Sequence, residues 1–213
     1  MVNLIQQLGQ DPENTVAKYD FYFDFRGVKN VIQKTASHET GGLCTFTSAL
    51  PTSTNVCSVT VANGGSDYFF PWVPRGVGDV SVPAAAPDGT IVATGQLNGC
   101  TFEAIEAGAN MWFYHDGDSK YLRKTVQPIA GTQRCTVGPA GYSPLNLGDT
   151  LMKITQKHAD AAKDVTKTRA YCYQMFAVRH AGKWKVFSCG LLLFNGTPAE
   201  GFRDGPSKLV ATF

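Results

Sequence analysis

Two long aromatic and aliphatic runs, Arg169 to Arg179 and Trp184 to Phe194, are separated only by His180-Ala181-Gly182-Lys183. Runs this rich in Tyr, Phe, Val and Leu suit the pleated, half-buried surface of a sheet, and the short linker reads as a tight turn. A strand pair of this length commits the chain to a sheet-based fold. The N-terminal third agrees. Between Tyr19 and Arg26, Phe21, Phe23 and Phe25 alternate with Tyr22, Asp24 and Arg26, the pattern of a strand with one buried face.

Leu43 to Thr47, Val56 to Ala62, Tyr68 to Val73, Thr90 to Thr94 and Thr132 to Val137 also read as strands, with a turn at Asn63-Gly64-Gly65. Val28 to Lys34 fits a strand or a short helix. Pro74 to Asp88 is rich in Pro, Gly and Ala and reads as a loop with at most a short strand at Val80 to Val82. Gln127 to Tyr142 reads as irregular outside its one strand. Helices are expected at Val2 to Leu8 and at Asp149 to Asp164. The second is capped by Asp149 and carries Leu151, Ile154, His158 and Ala161 or Ala162 on one face. The sum is about eight to eleven strands with two or three helices. No repeat or charge block marks a linker, so residues 1–213 are expected to form a single α+β domain built on a β-sandwich.

Composition narrows the functional classes. The net charge of +2 gives no electrostatic case for nucleic acid or a membrane surface. Lys153, Lys157, Lys163, Lys167 and Arg169 read as a solvated basic face. No apolar run approaches the roughly 18 residues of a spanning helix. Met1 to Gln10 lacks the basic start and apolar core of a Sec signal, so synthesis in a cytosol is expected, and Asn195-Gly196-Thr197 reads as an idle glycosylation pattern. Six cysteines, Cys44, Cys57, Cys100, Cys135, Cys172 and Cys189, form no C-x-x-C pair and have no histidine at zinc-finger spacing; five read as small buried hydrophobes and no metal site is expected.

Cys100 is the exception. Leu97-Asn98-Gly99-Cys100 forms a turn at a strand entrance, and His115 follows fifteen residues later, beyond a small turn-forming segment at Ala107-Gly108-Ala109-Asn110. Folded as a hairpin centred on Ala107-Gly108, the segment sets Cys100 opposite His115, at a Cβ separation of about 4.5–5.5 Å. An imidazole beside a thiol can take its proton and release a nucleophilic thiolate, and backbone N–H groups at the turn can stabilise an oxyanion. Gly99 permits a sharp turn there. His38, His158 and His180 lie in polar, helical and turn settings that suit a base less well. There is no G-x-S-x-G elbow, H-E-x-x-H or Walker loop.

The order Thr94, then Leu97-x-Gly99-Cys100, then His115 resembles the active site of the deamidase toxins, the cytotoxic necrotizing factor catalytic domains and Burkholderia lethal factor. The likeness covers Thr94 to His115, with a weaker echo at Pro71-Trp72. It implies a central sandwich of two mixed β-sheets flanked by helices and loops. It implies Cys100 as nucleophile, His115 as base and Thr94 orienting the ring through its hydroxyl or its carbonyl. Oxyanion donors would come from Leu97-Asn98-Gly99-Cys100. The implied activity is deamidation of a glutamine in a host protein, of the GTPase or translation-factor class, without a cofactor. A monomer, made in a bacterial cytoplasm without a Sec signal and delivered to a host cytosol, is implied too. Substrate specificity is expected in Phe69 to Val77, Ser119 to Arg123 and Pro139 to Ser143. A cysteine protease or transglutaminase on the same site, or a β-sandwich binding module without catalysis, are the competing expectations.

Overall fold

A computed structural model describes residues 3–28, 37–49, 55–126, 130–143, 147–159, 163, 169–202 and 208–213. In chain order its elements are α1 (Leu4–Gln10), α2 (Pro12–Lys18), β1 (Asp20–Asp24), β2 (His38–Thr40), β3 (Gly42–Ser48), β4 (Val56–Asn63), β5 (Asp67–Phe70), β6 (Val77–Pro83), β7 (Ile91–Leu97), β8 (Thr101–Ala107) and β9 (Asn110–Asp116). There follow α3 (Leu122–Thr125), β10 (Thr132–Val137), α4 (Pro139–Tyr142), α5 (Leu147–Lys157), β11 (Arg169–His180), β12 (Lys183–Phe194), β13 (Thr197–Phe202) and β14 (Leu209–Thr212), with 3-10 turns at Phe25–Gly27 and Gly117–Ser119.

The strands form two mixed sheets. A nine-stranded sheet runs β1-β4-β3-β5-β7-β11-β12-β13, with β14 also on β12; a five-stranded sheet runs β10-β8-β9-β6-β2. The β1–β4, β5–β7 and β2–β6 pairs are parallel. The expected hairpin of β11 and β12 is the spine of the larger sheet, paired from Arg169↔Phe194 to His180↔Lys183. Its two linking residues, Ala181 and Gly182, both have positive φ (52° and 72°), as a twist-matched two-residue hairpin turn requires.

The sheets pack face to face over one core. Phe70 and Trp184 from the larger sheet meet Phe102 and Phe113 from the smaller, with centroids 5.9 Å apart for Phe70–Phe102 and 5.1 Å for Phe113–Trp184. All four rings are fully buried. Such edge-on aromatic contacts add about 0.5–1.5 kcal/mol each beyond their buried area. The larger sheet also curls, so that β1 lies across β11 and β12. Phe21 and Phe23 sit 5.8 Å and 5.3 Å from Phe176 in a second core that Leu4 and Leu8 of α1 help to fill. The alternation read at Tyr19 to Arg26 thus buries Phe21 and Phe23 as expected. The strand ends at Asp24, though, and Phe25 and Arg26 belong to a 3-10 turn.

Several expectations are corrected. The first helix begins at Leu4 rather than Val2, because the Asn3 side chain accepts from the Ile5 and Gln6 amides as its cap. α2, started by Pro12 at its first position, was not anticipated. Pro74 to Asp88 holds a longer strand than expected: β6 spans seven residues, between β9 and β2 in the smaller sheet, with Pro83 at its end and Gly78 at a close approach. Asp149 lies inside the first turn of α5, which starts by Leu147, and so is not its cap. β13 and β14 carry the strand count past eleven, and five α-helices rather than two or three occur among the described residues. The reading of Val28 to Lys34 falls almost wholly outside the described residues, as do Ala161 and Ala162.

Gly78 shows how tightly the sheets fix the segment after β5. It pairs with His115, and a Cβ placed on it would lie 1.7 Å from the Pro71 carbonyl oxygen. Gly78→Ala must therefore push Pro71-Trp72 away. A destabilisation of about 2–3 kcal/mol is expected, seen as a fall of about 5–10 °C in a thermal melt. An unchanged melting temperature would refute this close approach.

Candidate active site

Thr94 owes its orientation to a bulge. β7 pairs with β11 at Ala93↔Phe176 and again at Gln96↔Gln174, so Thr94 and Gly95 together oppose Met175. The extra residue resets the alternation. Val92 and Leu97 therefore both reach the inter-sheet core although they are five positions apart. Thr94, two positions after Val92, points the same way. Its hydroxyl lies 2.9 Å from Nδ1 of His115, on β9 of the other sheet. Both residues are fully buried. Of the two contacts the resemblance allows, the hydroxyl is the one made.

Cys100 is placed differently from the expected direct pairing. The hairpin turn is Gly108-Ala109, one residue later than the expected centre, with Gly108 at φ 61°. Glycine at the first central position is the II′ arrangement that suits twisted strands. His115 consequently pairs with Phe102, and Cys100 becomes a diagonal neighbour. A shift of two keeps both side chains on one face of the sheet, at about 7–8 Å between backbones. Nε2 of His115 is buried without a hydrogen-bond partner among the described residues, so ring and thiol are not bonded in this structure. Catalytic hydrogen bonds are often long in the unliganded state and tighten on binding.

The turn that carries Cys100 is held from several sides. Gly99 has φ 87°, a left-handed conformation that glycine adopts without strain. Its N–H donates to the Tyr142 hydroxyl at 3.1 Å, and that hydroxyl donates to the Cys100 carbonyl at 3.1 Å. Ser119 Oγ donates to the Gly99 carbonyl at 3.1 Å and accepts from Thr101 Oγ1. Asp118 and Ser119 are consecutive non-glycine residues at positive φ (53° and 56°), a costly conformation of the kind that collects at functional sites. The Asp116 carboxylate secures this loop by accepting from the Tyr121 and Leu122 amides at 2.7 and 3.1 Å. Gly99 is thus excluded as an oxyanion donor, since Tyr142 occupies its N–H.

Electrostatics favour a neutral resting pair. Burial raises the Cys100 thiol above the ordinary cysteine range. The Asp118 and Asn98 backbone N–H groups and the Trp72 side chain oppose that shift, while the Asp118 charge adds to it. Burial alone pushes the His115 imidazole down to about 3. At neutral pH a neutral ring therefore lies near a protonated thiol, rather than a standing thiolate–imidazolium ion pair. Trp72 is the donor that spacing could not reveal. Its position after Pro71 carried only the weak echo noted above. Trp72→Phe keeps the ring and removes the donor, so Cys100 should react about three- to tenfold more slowly with iodoacetamide at pH 8. An unchanged rate would remove Trp72 from the site.

Cys100 lines a cavity of about 620 Å³ together with Trp72, Asn98, Asp118, Gln96, Gln174 and the stretch from Tyr22 to Arg26. That is the size of a small-molecule or side-chain binding cleft. Of the expected specificity segments, Trp72 lines this cavity, whereas Tyr142 acts beneath the turn and Ser119 behind it. His38 pairs with Asp79 at 2.8 Å and His158 with Glu200. His180, expected in solvent, is partly buried and lines a different cavity. All six cysteines are buried and free. Among the described residues no three His, Cys, Asp or Glu side chains gather as a metal centre, and no helix is long and apolar enough to cross a membrane. No family model and no curated protein matches the chain.

Proposed function

We propose that this chain is a protein-glutamine deamidase of the toxin type, acting through Cys100, His115 and Thr94. The observation that carries the reading is the Thr94–His115 hydrogen bond of 2.9 Å between the two sheets, behind a cysteine that opens on a cavity. Thr94 Oγ1 accepts from Nδ1–H, which fixes the tautomer whose Nε2 lone pair can take a proton. Sγ attacks the carbonyl carbon of a glutamine carboxamide as its proton passes to Nε2. The tetrahedral oxyanion is stabilised by the backbone N–H of Cys100 together with the Asn98 side chain, which lines the cavity. Collapse breaks the C–N bond, His115 returns the proton to the leaving nitrogen, and ammonia departs. Water, deprotonated by His115, then cleaves the thioester to give glutamate and the free thiol.

The substrate on this reading is a host protein of the GTPase or translation-factor class, reached after delivery from a bacterial cytoplasm, with the enzyme acting as a monomer and without a cofactor. One new carboxylate on such a target is enough to disable a catalytic or interface residue. The test is mass spectrometry of a eukaryotic lysate treated with the protein or with Cys100→Ser. A gain of about one dalton at one glutamine, seen only with the wild type, is expected from the replacement of NH2 by OH. Cleavage of a target instead would mean a protease, addition of an amine a transglutaminase, and no change a binding module.

A further inference from the structure

Gln174 is the polar exception on an otherwise apolar strand face. Its same-face neighbours on β11, Cys172, Phe176 and Val178, are buried in hydrophobic clusters, and Gln174 itself is fully buried. Its Oε1 accepts from the Phe23 backbone N–H at 3.4 Å. A backbone amide can only donate, so the carboxamide cannot turn over: oxygen faces Phe23 and the NH2 group faces away. That Nε2 is buried without a hydrogen-bond partner among the described residues. Gln96, directly opposite on β7, is engaged with the Tyr22 hydroxyl and is not equivalent. Gln174 lines the same cavity as Cys100. A methionine or leucine would fill this position without burying unmet donors, which are costly to desolvate.

We propose that Gln174 is a specificity-determining residue whose Nε2–H groups donate to a carbonyl oxygen of the substrate segment lying in the Cys100 cavity. The ligand class is a peptide or carboxamide, because the Gln174 donors are neutral, the one cationic side chain lining the cavity, Arg26, is already paired with Asp24, and a carbonyl is the neutral acceptor that meets such donors. The inference rests on the reading of Cys100 as the nucleophile of that cavity.

The test compares how fast Cys100 is modified by two carbonyl-bearing reagents, iodoacetamide and iodoacetyl-glycinamide, with its modification by carbonyl-free methyl methanethiosulfonate. Full-length wild type, Gln174→Glu and Gln174→Met are used. Gln174→Glu keeps the acceptor for Phe23 and loses the donors; Gln174→Met loses both without adding charge. Taking the ratio of rates cancels any change in thiol reactivity. The ratio for at least one carbonyl reagent should fall about tenfold in both variants, the worth of one hydrogen bond to a buried donor. Ratios equal to wild type for both reagents would overturn the proposal. If the ratio falls but no glutamine in a lysate gains mass, the carbonyl site stands and the deamidase reading fails. If glutamine gains mass with unchanged ratios, the reverse holds.

Discussion

Cys100→Ser is expected to reduce glutamine deamidation at least about a thousandfold, as removal of a nucleophile does in thiol and serine hydrolases. The substitution exchanges sulfur for oxygen at a position only 3 % exposed, so packing is nearly conserved and the hydroxyl can still approach the Asn98 and Asp118 amides. What changes is acidity. A neutral imidazole held down to about 3 is a weak base, sufficient to assist a thiol and far from sufficient for an alcohol. The loss should therefore appear in kcat with the thermal melt nearly unchanged. Full activity in this variant would end the assignment of Cys100.

His115→Gln should lower the rate by about two to four orders of magnitude, the range for a lost general base. It should also change how stability responds to acid. Unfolded, the imidazole binds a proton near 6.5; folded, burial keeps it neutral down to about 3. Between those values the unfolded chain holds more protons, so stability rises with pH there. It is lost as pH falls from 6.5 toward 3, by at most about 1.4 kcal/mol per unit. Asp67 works in the opposite sense. Burial raises its carboxyl from 3.8 to about 6, so its contribution is lost as pH rises through that window. Glutamine at position 115 does not titrate and can still donate to Thr94. The difference between the urea midpoints of wild type and variant isolates the histidine, and it should shift against the wild type as pH falls from 6.5. Parallel curves would mean that the ring is not held neutral.

Sequence reasoning worked where side-chain periodicity carried the information. The hairpin of Arg169 to Phe194 and the phenylalanine alternation at Phe21 and Phe23 are local patterns, and the packed sheets use them as read. It failed where the deciding contact is remote. β6 is hidden because its glycine, its proline and the Pro, Gly and Ala around it look like loop, whereas Gly78 is needed for the approach of Pro71. The register of the Cys100 hairpin turned on whether Gly108 opens or closes a two-residue turn, which composition does not decide. Thr94 and His115 were paired only by resemblance. Their meeting depends on a bulge opposite Met175 and on two sheets packing together, features with no signature in the spacing of either residue. Gln174 gives no local signal, and Tyr142 is named only within the segment Pro139 to Ser143, because their roles come from partners many positions away.

The hydrogen bond from Thr94 to His115 joins one sheet to the other, and the strands of the two sheets interleave along the chain. The stretch from Thr94 to His115 contains all three residues of the proposed centre, yet it supplies only β7 of one sheet and β8 and β9 of the other, so as an isolated fragment it would not hold them in this arrangement. On the proposed reading, activity would be switched on only by completed folding: a partly folded chain would hold its cysteine without an oriented base.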